Sequence, residues 1–287
     1  VSRFFGRQFE VLINDDIFIE ATTGRQFRIV FEVLVDFNGS HSYADIAIYN
    51  LSKTTESKAF TKGSIIGLRA GYDDAIDFIF KGEIRNTFKE RDGPDTITRI
   101  IAHGGSEATK SVNKSLGKGV KVTALIRECA TALGFPIVMN DDDFANESVY
   151  SRGYSLNGDP AKILDKLANT HGFSYTIENR RIVVVGKNSF RSGTPYVISQ
   201  ANGMEGIPEI TEVGVDANVR LTPKIRIGGQ IDVQSELSTF NFSNLYFQNI
   251  PANAGSGIYN VQRLKYSGDS WGDTWTTSVT GFRPFTG

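Results

Sequence analysis

Cysteine is nearly absent from this 287-residue chain: Cys129 stands alone, so no intrachain disulfide holds the fold. It shares an apolar helical stripe with Leu125, Ile126 and Ala130, and so reads as a small buried hydrophobe rather than a nucleophile. Methionine is scarce too, at 2 residues, and no apolar run approaches the roughly 18 residues that a membrane-spanning helix needs. The opening Val1-Ser2-Arg3-Phe4-Phe5 lacks the apolar core of a secretion signal. An excess of one charge sign is also missing. Lys and Arg number 31 against 32 Asp and Glu, for a formal net charge of −1, so no overall field draws the chain to nucleic acid or an anionic membrane. These absences lead us to expect a soluble protein made in a cytoplasm, with no membrane insertion of its own.

Recognisable chemistry is equally sparse. His41, His103 and His171 fall in a turn, at a strand end and at a helix end, and none has Cys or His at metal-ligand spacing. His171 reads as a packed or capping histidine. Asp141-Asp142-Asp143 lacks the alternating oxygen ligands and central glycine of a calcium loop, and reads as a solvated acidic turn. There is no G-x-S-x-G elbow, phosphate loop or dinucleotide fingerprint. The carboxylate pairs Asp15-Asp16 and Asp73-Asp74 lie in turns, whereas acid–base work needs carboxylates facing one another in a cleft. The expectation is a protein that is not an enzyme and holds no cofactor and no metal.

What the chain does have is 29 Gly, 20 Phe and 10 Tyr, a composition of turns and strand-forming aromatics. Phe27, Ile29, Phe31, Val33, Val35 and Phe37 alternate with Arg28, Glu32 and Asp36, the period of a strand. Asn38-Gly39 supplies a tight turn into a second strand over 43–51. Further strands are expected over 63–72, 77–88 and 96–103, with Arg91-Asp92-Gly93-Pro94 turning the last pair and Gly104-Gly105 closing the unit. From 209 onward the pattern is again strands: 209–218, 224–227, 230–235, 258–266 and 274–280. A Gly/Ser/Asn-rich stretch over 238–257 interrupts them, long enough to suggest a functional or partner-ordered loop.

Between these ends the period changes. Thr123 is positioned to cap a helix ended by Gly134. Asp159 and Pro160 open a second helix ended by Gly172. The two align thirty-eight residues apart, Leu125-Ile126, Cys129-Ala130 and Gly134-Phe135 matching Ile163-Leu164, Leu167-Ala168 and Gly172-Phe173. A strand follows each, and 173–177 with 181–185 form a hairpin. The outer units also repeat: Gly63 to Ala70 matches Gly228 to Ser235, Leu51-Ser52 matches Leu221-Thr222, and Asp95 to Thr98 matches Asp273 to Thr276. The fold class is therefore α+β, mainly β: two β-rich units, 1–105 and 203–287, each a small barrel or sandwich, flanking an α+β middle domain, 106–202, with a duplicated helix-strand unit.

Gly268-Asp269-Ser270-Trp271-Gly272-Asp273-Thr274-Trp275 places both tryptophans in a tandem motif. Trp275 falls within a strand and reads as core, while Trp271 is open between core and interface. Tyr246 and Phe247 in the long loop, with Phe282 and Phe285 in the extended C-terminal tail, complete the candidate partner-contacting residues.

The order of these parts resembles the baseplate hub proteins of contractile-tailed bacteriophages, including the late-control D-like hubs. The resemblance rests on Gly82-Glu83-Ile84 to Asp95-Thr96-Ile97-Thr98, the paired helix ends Leu133-Gly134-Phe135 and His171-Gly172-Phe173, and the run from Gly203-Met204-Glu205-Gly206-Ile207-Pro208-Glu209 through Asn260 to Asp269 and Trp275. It implies that 1–105 and 203–287 are tube-like β-barrel domains flanking the middle domain of a structural virion protein of the tail baseplate, assembled in the host cytoplasm. It also implies a homotrimer whose six tube-like units adapt a six-fold tail tube to a three-fold central spike. Implied partners are the tail tube or tube-initiator proteins, the spike and the tape-measure protein, with DNA passing through a central channel without sequence recognition during ejection. The alternatives are a siphophage-type tail hub, a carbohydrate-binding β-sandwich adhesin that stacks sugars on Trp271, Tyr246 and Phe247, and, third, a cell-wall hydrolase of the spike.

Overall fold

The computed structural model describes residues 6–20, 27–37, 42–52, 61–72, 75–105, 110–147, 149–211, 214–241 and 255–283. Phe9, Val11 and Ile13 occupy one buried face of β1 (Arg7–Ile13), and Asn14-Asp15, both at positive φ, turn the chain into β2 (Asp16–Glu20). The sequence reading had no strand here. The alternating pattern continues as expected in β3 (Ile29–Asp36) and β4 (Tyr43–Tyr49), with Phe31, Val33 and Val35 buried. Then follow β5 (Ile65–Tyr72), the 18-residue β6 (Ala75–Asp92) and β7 (Asp95–His103). All pair antiparallel in the order β3-β4-β7-β6-β5-β1-β2.

The middle segment builds its own core. β8 (Val112–Leu116) pairs with β10 (Tyr154–Gly158), and helices α1 (Val122–Leu133) and α2 (Pro160–His171) pack together through Leu125, Ile126, Cys129, Leu164 and Leu167. Thr123 does not cap α1: Lys121 holds that position without a side-chain bond, because Val122 is itself buried and the helix starts two residues earlier than expected. Asp159 does cap α2, accepting from the Ala161 amide at 2.9 Å, with Pro160 as first helical residue. Gly134 and Gly172 end the helices at φ 75° and 72°, the left-handed region where a side chain is strained. Asp141–Phe144 is a single 3-10 turn.

β9 (Ile137–Val138), β11 (Ser174–Glu178) and β12 (Arg181–Val185) make a three-stranded sheet. Along β12 the side chains alternate between two cores: Ile182 and Val184 face the helices, Val183 and Val185 face the large sheet. The middle segment is thus cemented to the sheet and not hung from it, and the Ser42 hydroxyl, donating to the Ile177 carbonyl at 2.9 Å, ties it again.

β13 (Tyr196–Ile198), β14 (Met204–Thr211), β15 (Gly214–Arg220), β16 (Gln230–Val233), β17 (Thr239–Asn241), β18 (Gly257–Asp269) and β19 (Trp275–Phe282) complete the chain. The strand expected over 209–218 is two strands, β14 and β15. The one expected over 224–227 is a turn whose Ile225 and Ile227 are nevertheless buried.

The repeat read in the sequence is present in the hydrogen bonding. β5-β6-β7-β4-β3 and β16-β18-β19-β15-β14 follow one pairing order. Gly63 donates to Ile84 at 2.9 Å and Gly228 to Val261 at 2.9 Å; Ile84 donates back to Ser64 and Val261 to Gly229. A bulge follows at once in both ladders, at Arg85 in β6 and at Gln262 in β18. The other two sequence matches are displaced by one residue: Asn50 donates to Thr96, whereas Leu221 donates to Trp275. Asn50 takes a left-handed turn at φ 57°, which shifts the frame.

All these strands join one 14-stranded sheet, running from β17 to β2. Mainly β with a helical module, the class matches expectation; closure of either half into a barrel is not found among the described residues.

The lone thiol gives a test of the middle core. Burial pushes the Cys129 thiol up to about 11, so at pH 8 it stays protonated as well as covered. A thiol reagent is expected to leave native protein unlabelled for hours and to label Cys129 within the mixing time in denaturant.

Candidate functional site

The two halves meet edge to edge. Beyond its bulge at Gln262, β18 leaves β16 and pairs with β3 over seven residues, from Arg263 opposite Asp36 to Asp269 opposite Val30. Three ion pairs cross this seam: Arg263 to Asp36 at 2.6 Å, Lys265 to Glu32 at 2.8 Å, and Arg28 to Asp269 at 2.7 Å. Beneath them Phe31, Val33, Val35, Leu264, Tyr266 and Trp275 belong to one core that spans both repeats.

The β18–β19 turn is the Gly268-to-Trp275 motif, and its backbone is clamped by the first repeat. Arg7 donates to the carbonyls of Asp269, Gly272 and Asp273, and Ser270 exchanges bonds with Ile29 and Phe27. Trp275 is core, as expected: its indole donates to the Gly71 carbonyl at 3.2 Å and its ring meets Phe31 edge-on at 5.3 Å. Trp271, on the same turn, is 67% exposed. Phe282 closes β19 beside Gly214 and Asn260 and is partly exposed. Tyr246, Phe247 and Phe285 lie outside the described residues, so the candidate contacts are not brought together as a set.

Two other sequence candidates are satisfied structurally. His171 bridges the Tyr150 hydroxyl at 2.8 Å and Glu147 at 2.6 Å. Asp141 pairs with Arg127 at 2.7 Å, and the Asp143 carboxylate accepts from the Gly186 amide. Among the described residues no group of His, Cys, Asp and Glu could hold a metal ion, and no helix is long and apolar enough to cross a membrane. Sequence reasoning missed the seam, although its acidic and basic residues were visible, because the pairing joins segments 227 residues apart at Asp36 and Arg263.

This architecture is shared with known tail proteins. The 43 kDa tail protein of prophage MuSo2 from Shewanella oneidensis matches with TM-score 0.61 at 10% identity, over 97% of each chain. A tail protein from Neisseria meningitidis MC58 matches with TM-score 0.60 at 10% identity, again over 97% of each. The Escherichia coli c3393 protein, a type VI secretion component described as structurally similar to the T4 tail proteins gp27 and gp5, matches with TM-score 0.58 at 8% identity, over 96% of this chain and 77% of that one. At such identities these likenesses establish the fold. A comparison with curated protein sequences found none that matches. Residues 26–243 match the family model described as baseplate hub gp41, and the chain belongs to that family. It is a structural component of the phage tail, in the baseplate of the virion.

Two expectations follow from the seam. A Cβ at Gly268 would lie 2.3 Å from Phe31 and 2.8 Å from Trp275, so Gly268→Ala should cost about 1–3 kcal/mol, read as a lower denaturant midpoint. Arg28, with the Trp271 and Gly272 amides, holds the Asp269 carboxyl below its ordinary 3.8. A depressed carboxylate stabilises the fold above the unfolded-state value, and that stability is lost as pH falls through the native one. Asp269→Asn should therefore flatten the acid limb of a melting-temperature profile below about pH 4 while lowering stability at neutral pH.

Proposed function

We propose that the chain is a baseplate hub that assembles as a homotrimeric ring, adapting a six-fold tail tube to a three-fold central spike. The observation that carries this reading is the seam. Each repeat has one strand edge that receives, β3 or β14, and one that gives, the second half of β6 or β18. Inside one chain β18 has joined β3. The matching half of β6, Asn86–Asp92, has no described strand in that place, and its Phe88 is 49% exposed. β14, the counterpart of β3, carries on its outer edge only the three residues of β17. Repeating the seam between chains would join β6 of one to β14 of the next, a head-to-tail contact of the kind that closes rings.

Two repeats in each of three chains give six units around a channel, wide enough in this reading for the tape-measure protein and DNA. The near-neutral charge of the chain suits a lumen that must not hold DNA by its phosphates. The tail tube or tube-initiator proteins would sit on one face and the spike on the other. The domain limits 1–105, 106–202 and 203–287 are those of the two tube-like units and the module between them, and Trp271 and Phe282, with Tyr246, Phe247 and Phe285, would contact the neighbours. Assembly would take place in the host cytoplasm without membrane insertion or cofactor.

Superposing the repeats by their ladders fixes the register. Phe88 takes the place of Lys265, and Thr211 that of Leu34, its partner, so β17, which pairs with Glu209, Ile210 and Thr211 within the chain, must yield that edge to the neighbouring β6. Glu90 then faces Glu209, a like-charge pair offset by Arg99, which holds Glu90 at 3.1 Å. The expected result is a trimeric mass by light scattering, a ring with a central hole by negative-stain imaging, and a disulfide between chains when Phe88→Cys and Thr211→Cys variants are mixed and oxidised. A protein that stays monomeric even with tube and spike proteins added would overturn the ring; a trimer without that disulfide would overturn the choice of edges alone.

A further inference from the structure

A cleft of about 530 Å³ opens where the start of β6, the end of α1 and the β11–β12 turn converge. Its lining is cationic: Lys81, Arg180, Arg181, Arg191 and Arg226 face only Asp77 and Glu178. The two acids are already committed, Asp77 to Arg226 at 2.6 Å and Glu178 to Arg191 at 3.0 Å, and Lys81 pairs with Asp15. Arg180 and Arg181 are left over. Arg180 lies over the Phe135 ring at 5.1 Å, which fixes its guanidinium plane, and its Nη1 is buried with no hydrogen-bond partner. The Oδ1 of the adjacent Asn179 is likewise buried and unsatisfied. Orphaning a buried polar group costs stability, more so when the group is charged.

The backbone adds an independent sign. Asn179 and Arg180 are the two central residues of a two-residue hairpin turn, at φ 49° and 59°. That turn prefers Asn followed by Gly. Asparagine is in place, but a long cationic side chain occupies the position where glycine is free of strain. A strained backbone held beneath an unpaired guanidinium marks a group kept for contact rather than for folding.

We infer that this cleft binds an acidic segment of a partner protein, Arg180 and Arg181 taking a carboxylate and Asn179 Oδ1 accepting an N–H from the same segment. A peptide supplies both an anionic fork and adjacent N–H donors, whereas the phosphodiester backbone of nucleic acid supplies only acceptors. The anchoring arginines Arg191 and Arg226 are held by their own ion pairs, so the frame of the cleft is formed before the ligand arrives, while the buried Arg180 Nη1 and Asn179 Oδ1 must be uncovered to meet it. It is separate from the strand edges of the ring.

The test uses the full chain and a hexaglutamate peptide, titrated by calorimetry beside an oligothymidylate of matching charge and inorganic phosphate. Arg180→Gly removes the cation and relaxes the turn, so the variant should melt no lower than the parent while binding hexaglutamate roughly ten- to a hundredfold more weakly, as expected for loss of a charged hydrogen bond. Arg152→Ala, exposed in the turn before β10, should leave binding unchanged. Equal binding by Arg180→Gly and parent, or no hexaglutamate binding by the parent, would overturn the inference. Oligothymidylate or phosphate binding that depends on Arg180 in the absence of hexaglutamate binding would overturn it in favour of a phosphate site.

Discussion

The pairing of β3 with β18 is the constraint on which the rest depends. It converts two separate ladders into one sheet, merges their hydrophobic faces into a single core, and sets the rotation of one repeat against the other. Its ion pairs are half-exposed, so their own contribution is small; each exposed pair is worth roughly 0–1 kcal/mol. The energy lies underneath, where Val33, Val35, Leu264 and Tyr266 leave water, at about 1.5–3 kcal/mol for each large side chain buried. The charges supply register instead. A slip of one residue would separate Arg263 from Asp36 and turn the apolar face outward.

The bulges at Arg85 and Gln262 make the seam possible. A strand of 18 or 13 residues that ran straight would present its whole edge to one neighbour. The bulge bends it, so that β18 gives its first half to β16 and its second to β3. Because both repeats carry the bulge at matching positions, the capacity to pair twice belongs to the repeat and not to one copy of it.

Much of this was legible. The period-two run from Ile29 to Asp36, the Gly63 and Gly228 turns, the Asp159-Pro160 helix start and the two helix-ending glycines all reflect local stereochemistry, which a few neighbouring residues determine. Asn14-Asp15 was equally legible, flanked by Phe9, Val11 and Ile13. The Lys224 to Ile227 stretch misleads because Ile225 and Ile227 alternate and are buried, yet they are carried inward by a turn. The seam and the cationic cleft are different in kind. Each is assembled from segments distant in sequence, and nothing in Arg180 taken alone reveals that Phe135, Arg191 and Arg226 will surround it.

The seam also sets a timetable for synthesis. Asp36 emerges from the ribosome 227 residues before Arg263, an interval of roughly 11–45 s at ordinary bacterial elongation rates of about 5–20 residues per second. Once β7 has been made, at His103, the first ladder is complete on one side while β3 stands as a bare edge that another nascent chain could capture. Arg28, Glu32 and Asp36, spaced along that edge, act as gatekeepers during the wait, and the same three side chains form the ion pairs that lock the edge once its proper partner has been made.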